Sequence, residues 1–483
     1  MNDVFKDLKP ALLWKHFARI LEIPHCSGNE KALGDYIISV AEAKGLEWQR
    51  DAVGNVVVRK QATPGHEQAE GVILQGHLDM VCEKNSDIEH DFSRDPIRPV
   101  RQGDWIQAQG TTLGSDNGIG VAAALAVMED DSLMHGPLEF LFTVDEETGL
   151  TGATKLEPGF LKGKKLFNLD SEDEGVFTIG CAGGADSEII FPFQRSPKDS
   201  PSAWKIKIFG LRGGHSGIDI NQGRGNAIKI LARLLWEISQ EIPVHLVRIE
   251  GGNKRNAIPR EAWAECIISP AEESKFKQLL EEYFQAIKNE LKSVEGNLEY
   301  NLESASPTFP ALEENCQQAL LNFLLALPHG VISMHPEIDG LVETSTNLAI
   351  IKTQEKEAEI IESSRSSVAS ALRSVREVIQ ACCELAGAQV NQPEGYPGWT
   401  PNLESPLLQT MKEVYQQLFG RAPEVGAVHA GLECGIIGEK FPGMDMISFG
   451  PTIEHPHSPE ERVHVESVEK FWQLLTAVIQ QLA

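Results

Sequence analysis

The feature that most constrains this chain is a series of apolar runs, each stopping at a side chain able to bind metal. Strand-like segments end at His77 in GHLDM, at Glu147 in DEETG and at Asp170 in NLDSE. Asp116 sits in the glycine-rich GSDNGIG, ahead of an almost continuous apolar stretch. His457, in HPHSPEER, arrives only near the C-terminus. Strands are expected at 55–59, 71–76, 138–144 and 165–169, with helical patterns between them, notably 118–128. Alternating strands and helices imply an α/β fold, a three-layer domain whose parallel or mixed sheet is covered on both faces. Ligands of such sheets bind beyond the carboxyl ends of the strands, which is where His77, Glu147 and Asp170 fall.

The long gap before His457 implies an insertion. A chain of 483 residues exceeds the usual single-core limit. Near Ser187 the sequence changes character, and PFQRSPKDSPSA (192–203) reads as a crossing segment. An alternating strand, WKIKIFG, then leads into the glycine-rich RGGHSG. A helix at 225–238, a strand at 262–268 and a helix at 272–291 follow. Strands at 346–351 and 359–363 and a helix at 368–385 repeat that outline, as a duplicated ferredoxin-like unit would. GYPGWTPNLESP marks the return, followed by a helix at 406–418, a strand at 444–449 and a helix at 465–482. The expected division is a discontinuous catalytic domain, 1–187 with 398–483, and an inserted α+β lid, 188–397.

A net charge of −27 argues against nucleic acid and anionic membranes as partners, because both need basic patches. No apolar run approaches the roughly 18 residues of a membrane span. The N-terminus lacks the uncharged core of a signal peptide. Eight cysteines without a CxxC spacing point to free thiols in a reducing cytoplasm.

Each candidate also has a plainer structural reading. Asp79 lies two residues beyond His77, on the same side of an extended chain, and can orient the imidazole; a solvated strand end would look the same. Asp116 between glycines can approach a ligand closely or merely cap the next helix. Glu146 and Glu147 repel each other, which raises one pKa. A bound cation relieves this and leaves the other acid as a general base, whereas an acidic turn in water needs neither. Spacing alone does not choose between His455 and His457.

Together the motifs GHLDMV, GSDNGIG, DEETG, NLDSE and HSPEERV, over nearly the whole chain, resemble the two-metal exopeptidases that include carnosinases, peptidase T and glutamate carboxypeptidases. The resemblance implies that Asp116 bridges two Zn²⁺ ions, with Co²⁺ or Mn²⁺ as substitutes. His77 and Asp170 complete one site, Glu147 and His457 the other. Asp79 becomes the orienting acid, Glu146 the general base acting on a metal-bridging water, and Asp116–Asn117 a cis peptide. From RGGHSG, ESSRSS, GGNKRN and HAGLECG it implies lid and rim roles for His215, Arg365, Asn256, Asn347 and Glu433. The implied substrates are L-dipeptides with C-terminal His, β-Ala-His included. A tripeptidase or N-acyl amino acid deacylase is the alternative within the family, and a metal-free binding protein the alternative outside it. A homodimer paired through the lid is compatible with the resemblance, as is a monomer whose doubled lid completes its own site.

Overall fold

The computed structural model describes residues 3–197, 202–307 and 309–483. It forms two compact units. Unit 1 comprises Met1–Cys181, Trp399–Ala427 and Leu432–Ala483; unit 2 comprises Ala182–Gly398 and Val428–Gly431. Part of the proline- and serine-rich stretch expected to cross between domains, residues 198–201, lies outside the described residues.

Unit 1 is built on an eight-stranded sheet. Its spatial order is Glu47–Arg50, Val56–Lys60, Leu138–Thr143, Val72–His77, Lys165–Asn168, Asp445–Ser448, Val176–Cys181 and Glu424–Val428. Val72–His77 runs parallel to both neighbours, and Lys165–Asn168 runs parallel to Asp445–Ser448. The two strands at one edge, Glu47–Arg50 and Val56–Lys60, are antiparallel, so the sheet is mixed. Its central strands are buried along their whole length, which their Val, Ile, Leu and Phe content permits.

The helix Ser115–Glu129 buries nearly every side chain, as its apolar GIGVAAALAVM sequence predicts. Close approach to the sheet depends on glycine. A Cβ at Gly76 would lie 2.2 Å from Asn117 Oδ1, and one at Gly120 would lie 2.3 Å from the Leu169 carbonyl oxygen. Asn117 Nδ2 donates to that same carbonyl at 2.6 Å. The helix start is thereby anchored to the chain that carries Asp170.

Unit 2 holds a nine-stranded sheet. The path Glu299–Ser304, Ala203–Phe209, Ala262–Ile267, His245–Gly251, Val342–Thr353, Glu357–Ser366, Gly183–Pro192 and Gln389–Asn391 is joined by Gly330–Met334 beside Val342–Thr353. The first four strands, with helices Ala227–Glu241 and Glu273–Leu291, form a β-α-β-β-α-β unit of spatial order 4-1-3-2. Gly183–Pro192, the helix Glu314–Ala326, Val342–Thr353, Glu357–Ser366, the helix Ala369–Ala386 and Gln389–Asn391 form a second unit of the same order. The doubled ferredoxin-like reading therefore holds. The first strand of the second copy precedes the whole first copy, so the repeats are nested rather than tandem.

The cysteine expectation needs correction. Cys26 and Cys82 form a disulfide, while Cys181, Cys266, Cys316, Cys382 and two others are free. A main-chain bridge between Cys26 and Met80 brings the pair together, a proximity that 56 residues of separation conceals in the sequence. No helix among the described residues is long and apolar enough to cross a membrane.

Candidate metal centre and its companion groups

Within unit 1 the strand-end residues converge. His77 Nε2 lies 3.1 Å from Asp116 Oδ1 and 3.3 Å from Asp170 Oδ1. His457 Nε2 lies 3.0 Å from Asp116 Oδ2 and 3.0 Å from Glu147 Oε2. Two donor clusters result, His77 with Asp116 and Asp170, and Asp116 with Glu147 and His457. Asp116 belongs to both and turns one oxygen to each. Glu146 joins His77 and Glu147 in a further cluster of donors within 4.8 Å of one another. Asp116–Asn117 is a cis peptide.

The local chain explains this aim. His77 Nδ1 lies 3.0 Å from the Asp79 main-chain oxygen, nearer than the 3.6 Å to the Asp79 carboxylate. The carbonyl, rather than the expected carboxylate, is thus the nearest acceptor for the Nδ1 proton, which leaves Nε2 facing the acids. The Asp79 carboxylate is occupied differently. It accepts the amides of Glu146 at 2.9 Å and Glu147 at 3.1 Å, and the Ser27 hydroxyl at 2.7 Å. It therefore seats the turn that presents both glutamates. That turn begins with Asp145 in the left-handed region, φ 53, a conformation Asp tolerates better than most residues. The Asp145 carboxylate ties back to Thr148 and Thr151. His457 also has a positive φ, 60.

Electrostatics set these groups against each other. Burial opposes a charge on His77, but Asp170 and hydrogen bonds donated by the imidazole to the acids raise its pKa well above the ordinary value. Hydrogen bonds to Asp116 and Glu147 push His457 up to about 11. Burial lifts Asp170 to about 6 and Glu172 to about 8, and raises Glu146 well above a normal carboxylate. An excess of buried acids is what a multivalent cation neutralises. Glu147 Oε1 is buried without any hydrogen-bond partner, as fits an oxygen reserved for such an ion. The mixed His and carboxylate set suits zinc.

Glu433 lies deeper in unit 1. Its carboxylate is buried, accepts Gln75 Nε2 at 2.6 Å and Thr143 Oγ1 at 2.7 Å, and has its pKa raised by burial to about 7. Its other oxygen, Oε1, has no partner.

Unit 2 gathers a second group. His215 lies on a short strand whose partner is Ala257, and Asn347 Nδ2 donates to the Ala257 carbonyl at 2.9 Å. Asn347 thus braces the strand behind His215. The Asn256 carbonyl accepts the Ser216 amide at 2.8 Å, while its side chain is exposed. His215 Nδ1 accepts the amides of Gly217 and Ile218. The ring proton therefore resides on Nε2. Burial, then Arg365, lowers the His215 pKa to about 4, so the ring is neutral at ordinary pH.

Arg365 is buried on Glu357–Ser366 and donates from Nη1 to the Tyr396 hydroxyl at 2.8 Å. Ser345, its register partner, bonds His429 Nε2 at 2.7 Å. A Cβ at Gly184 would lie 2.5 Å from the Tyr396 hydroxyl, so glycine there makes room for the ring. His429 and Tyr396 were not among the sequence candidates. His429 stands four residues before Glu433 in HAGLECG, and Tyr396 lies in a stretch that reads as a domain boundary.

The chain is 43% identical over 476 residues to the cytosol non-specific dipeptidase of Escherichia coli (strain K12), covering 98% of each. It matches the crystal structure of aminoacylhistidine dipeptidase from Vibrio alginolyticus with a TM-score of 0.92 and 42% identity, over 99% of this chain and 98% of that one. An aminopeptidase from Bacillus cereus shares the fold at a TM-score of 0.57 and 16% identity, over 98% and 99% of the two chains. The model of peptidase family M20/M25/M40 matches residues 73–481, a span holding every one of the clustered metal-type donors above, and the chain is therefore a member of that family.

Proposed function

We propose that this protein is a cytosolic two-zinc dipeptidase acting on L-dipeptides, with Xaa-His and β-Ala-His among its substrates. One observation carries the reading: the two donor clusters share Asp116, with one of its oxygens turned to each histidine. The names of the relatives in Escherichia coli and Vibrio alginolyticus support the substrate class.

His77 and Asp170 would hold one ion, Glu147 and His457 the other, and Asp116 both. When bound, such a pair supplies Lewis acidity toward the peptide carbonyl and lowers the pKa of water. Glu146 stands beside the donors, where its carboxylate would take the proton of the attacking water and return it to the leaving nitrogen. The neutral Nε2–H of His215 is a hydrogen-bond donor suited to the oxyanion. The planar guanidinium of Arg365 is suited to the substrate carboxylate. Asn347 and Asn256 support the His215 strand. A homodimer formed through unit 2 belongs to this reading, and exposed Ile332 and Met334 on its edge strand offer apolar surface for it.

Metal analysis and a substrate panel test the proposal. Two zinc equivalents per chain are expected, with hydrolysis of β-Ala-His and Gly-His lost in chelator and restored by metal. Preferential cleavage of a tripeptide or an N-acetyl amino acid would replace this reading with one of the family alternatives. Absence of both metal and hydrolysis would make the protein a binding protein on a peptidase fold. Light scattering reads the oligomeric state.

A further inference from the structure

Asp116 lies in a turn that leads into the buried helix. The backbone is non-helical at Asp116 (φ −85, ψ 107) and Asn117 (φ −105, ψ 28), so the regular helix begins beyond them, and the amides of the turn from Leu113 to Asp116, with Gly114 at φ 74, need partners from elsewhere. Glu461 supplies them from near the other end of the chain. One carboxylate oxygen accepts the amides of Leu113 at 2.8 Å and Gly114 at 3.1 Å. The other accepts the Ser115 amide at 2.7 Å, the Ser115 hydroxyl at 2.6 Å and the Asp116 amide at 3.4 Å. Glu461 is 2% exposed. Its own amide bonds the Ser458 carbonyl, which ties it into the loop that carries His457.

This arrangement resolves the two readings of Asp116. An aspartate just ahead of a helix ordinarily turns its carboxylate onto free amides nearby. Here Glu461 already satisfies the amides of the turn, Leu113 to Asp116, and the Asp116 carboxylate faces His77 and His457 instead. We infer that Glu461 is a positioning residue that keeps Asp116 available as the shared metal ligand and couples its placement to that of His457. The inference rests on the two-metal reading above. It makes one loop, residues 457–461, responsible for a ligand and for the clamp on another. Loss of the clamp should then loosen both ions together rather than one.

The variant Glu461→Gln keeps the shape but replaces one acceptor oxygen with a donor that faces amide donors. Wild type and variant are loaded with zinc, and metal retention is measured by titration against a chromophoric chelator. Partners that orient metal ligands typically contribute about 10–100-fold in metal affinity, and a loss of that size for both equivalents is expected. Excess zinc should restore kcat, with KM for the dipeptide unchanged. A folded variant that holds metal as the wild type does overturns the inference. So does a lowered unfolding temperature of the metal-free protein with unchanged metal affinity, which marks a purely structural role. If Glu461→Gln does not fold, Ser115→Ala removes only the hydroxyl bond. A measurable loosening of both ions then supports the inference, and unchanged retention overturns it. A wild type that binds no zinc is a different result: it rejects the proposed function itself, and the inference falls with it.

Discussion

Burial lowers His16, His25, His90 and His135 of unit 1 as it lowers most buried histidines, and the two histidines among the clustered donors stand apart from them and from those of unit 2. In unit 1, His77 and His457 are surrounded by carboxylates and their pKa values are raised. In unit 2, burial lowers His215, His329 and His429 to about 4, with Arg365 acting on the first and last and Lys229 on His329. Surroundings, rather than the imidazole, decide whether a histidine faces a cation or donates as a neutral ring. The His77 and His457 cluster of unit 1 thus has the character of a cation site. The proposed role of His215 and Arg365 in unit 2 is to meet the carbonyl and carboxylate oxygens of a substrate.

The sharpest way to break this contrast is to remove the shared acid. Asp116→Ala should lose both metal equivalents and reduce hydrolysis to background, as read by metal analysis. A variant with full metal content would remove Asp116 from the bridge. Glu146→Gln should keep its metal while kcat falls by about 10²–10⁴-fold, the usual contribution of a general base. Near-normal kcat would exclude Glu146 as the base. His215→Ala in unit 2 should also retain metal, with kcat lower by about 10²–10³-fold, as for loss of an oxyanion donor. If metal were lost instead, the division between the units would be wrong. Arg365→Ala is expected to raise KM by about 10–100-fold, since a charged hydrogen bond contributes roughly 1.5–3 kcal/mol. Normal KM would take Arg365 out of substrate binding.

The smallest effect concerns acid. His215, His329 and His429 have folded pKa values of about 4, below the 6.5 of the unfolded chain. Between those values the unfolded chain binds more protons. Their contribution to stability is therefore fully present above about 6.5 and is lost as pH falls through about 4. The imidazole resonances of these three residues should not titrate between pH 8 and 5.5. A midpoint near 6.5 for His215 would make it cationic as well as neutral in the working range.

Much of the fold was legible because its periodicities are strong. The buried helix expected at 118–128 is Ser115–Glu129, and the strand expected at 138–144 is Leu138–Thr143. The nested repeat was only partly legible. Its missing strand, Gly183–Pro192, lies where the composition changes and is separated from its partner Glu357–Ser366 by the whole first copy. At the site, the donors announced themselves by chemistry at strand ends. Their supports did not, because Asp79 works through two amides, and Glu461 through four amides and a hydroxyl. The backbone partners of a carboxylate leave no trace in residue identity.

By itself, the order of residues determined the α/β class, the insertion, and which His, Asp and Glu side chains were candidates. Apolar periodicity and side-chain chemistry are local properties, readable one segment at a time. Only the tertiary structure decided that Asp116 faces two histidines instead of capping its helix, that Asp79 seats Glu146 and Glu147, that His215 carries its proton on Nε2, and that Cys26 meets Cys82. Each of these depends on a hydrogen bond or a covalent bond whose geometry is set by how the chain folds. For Asp116, that partner is a glutamate on a loop near the other end of the chain.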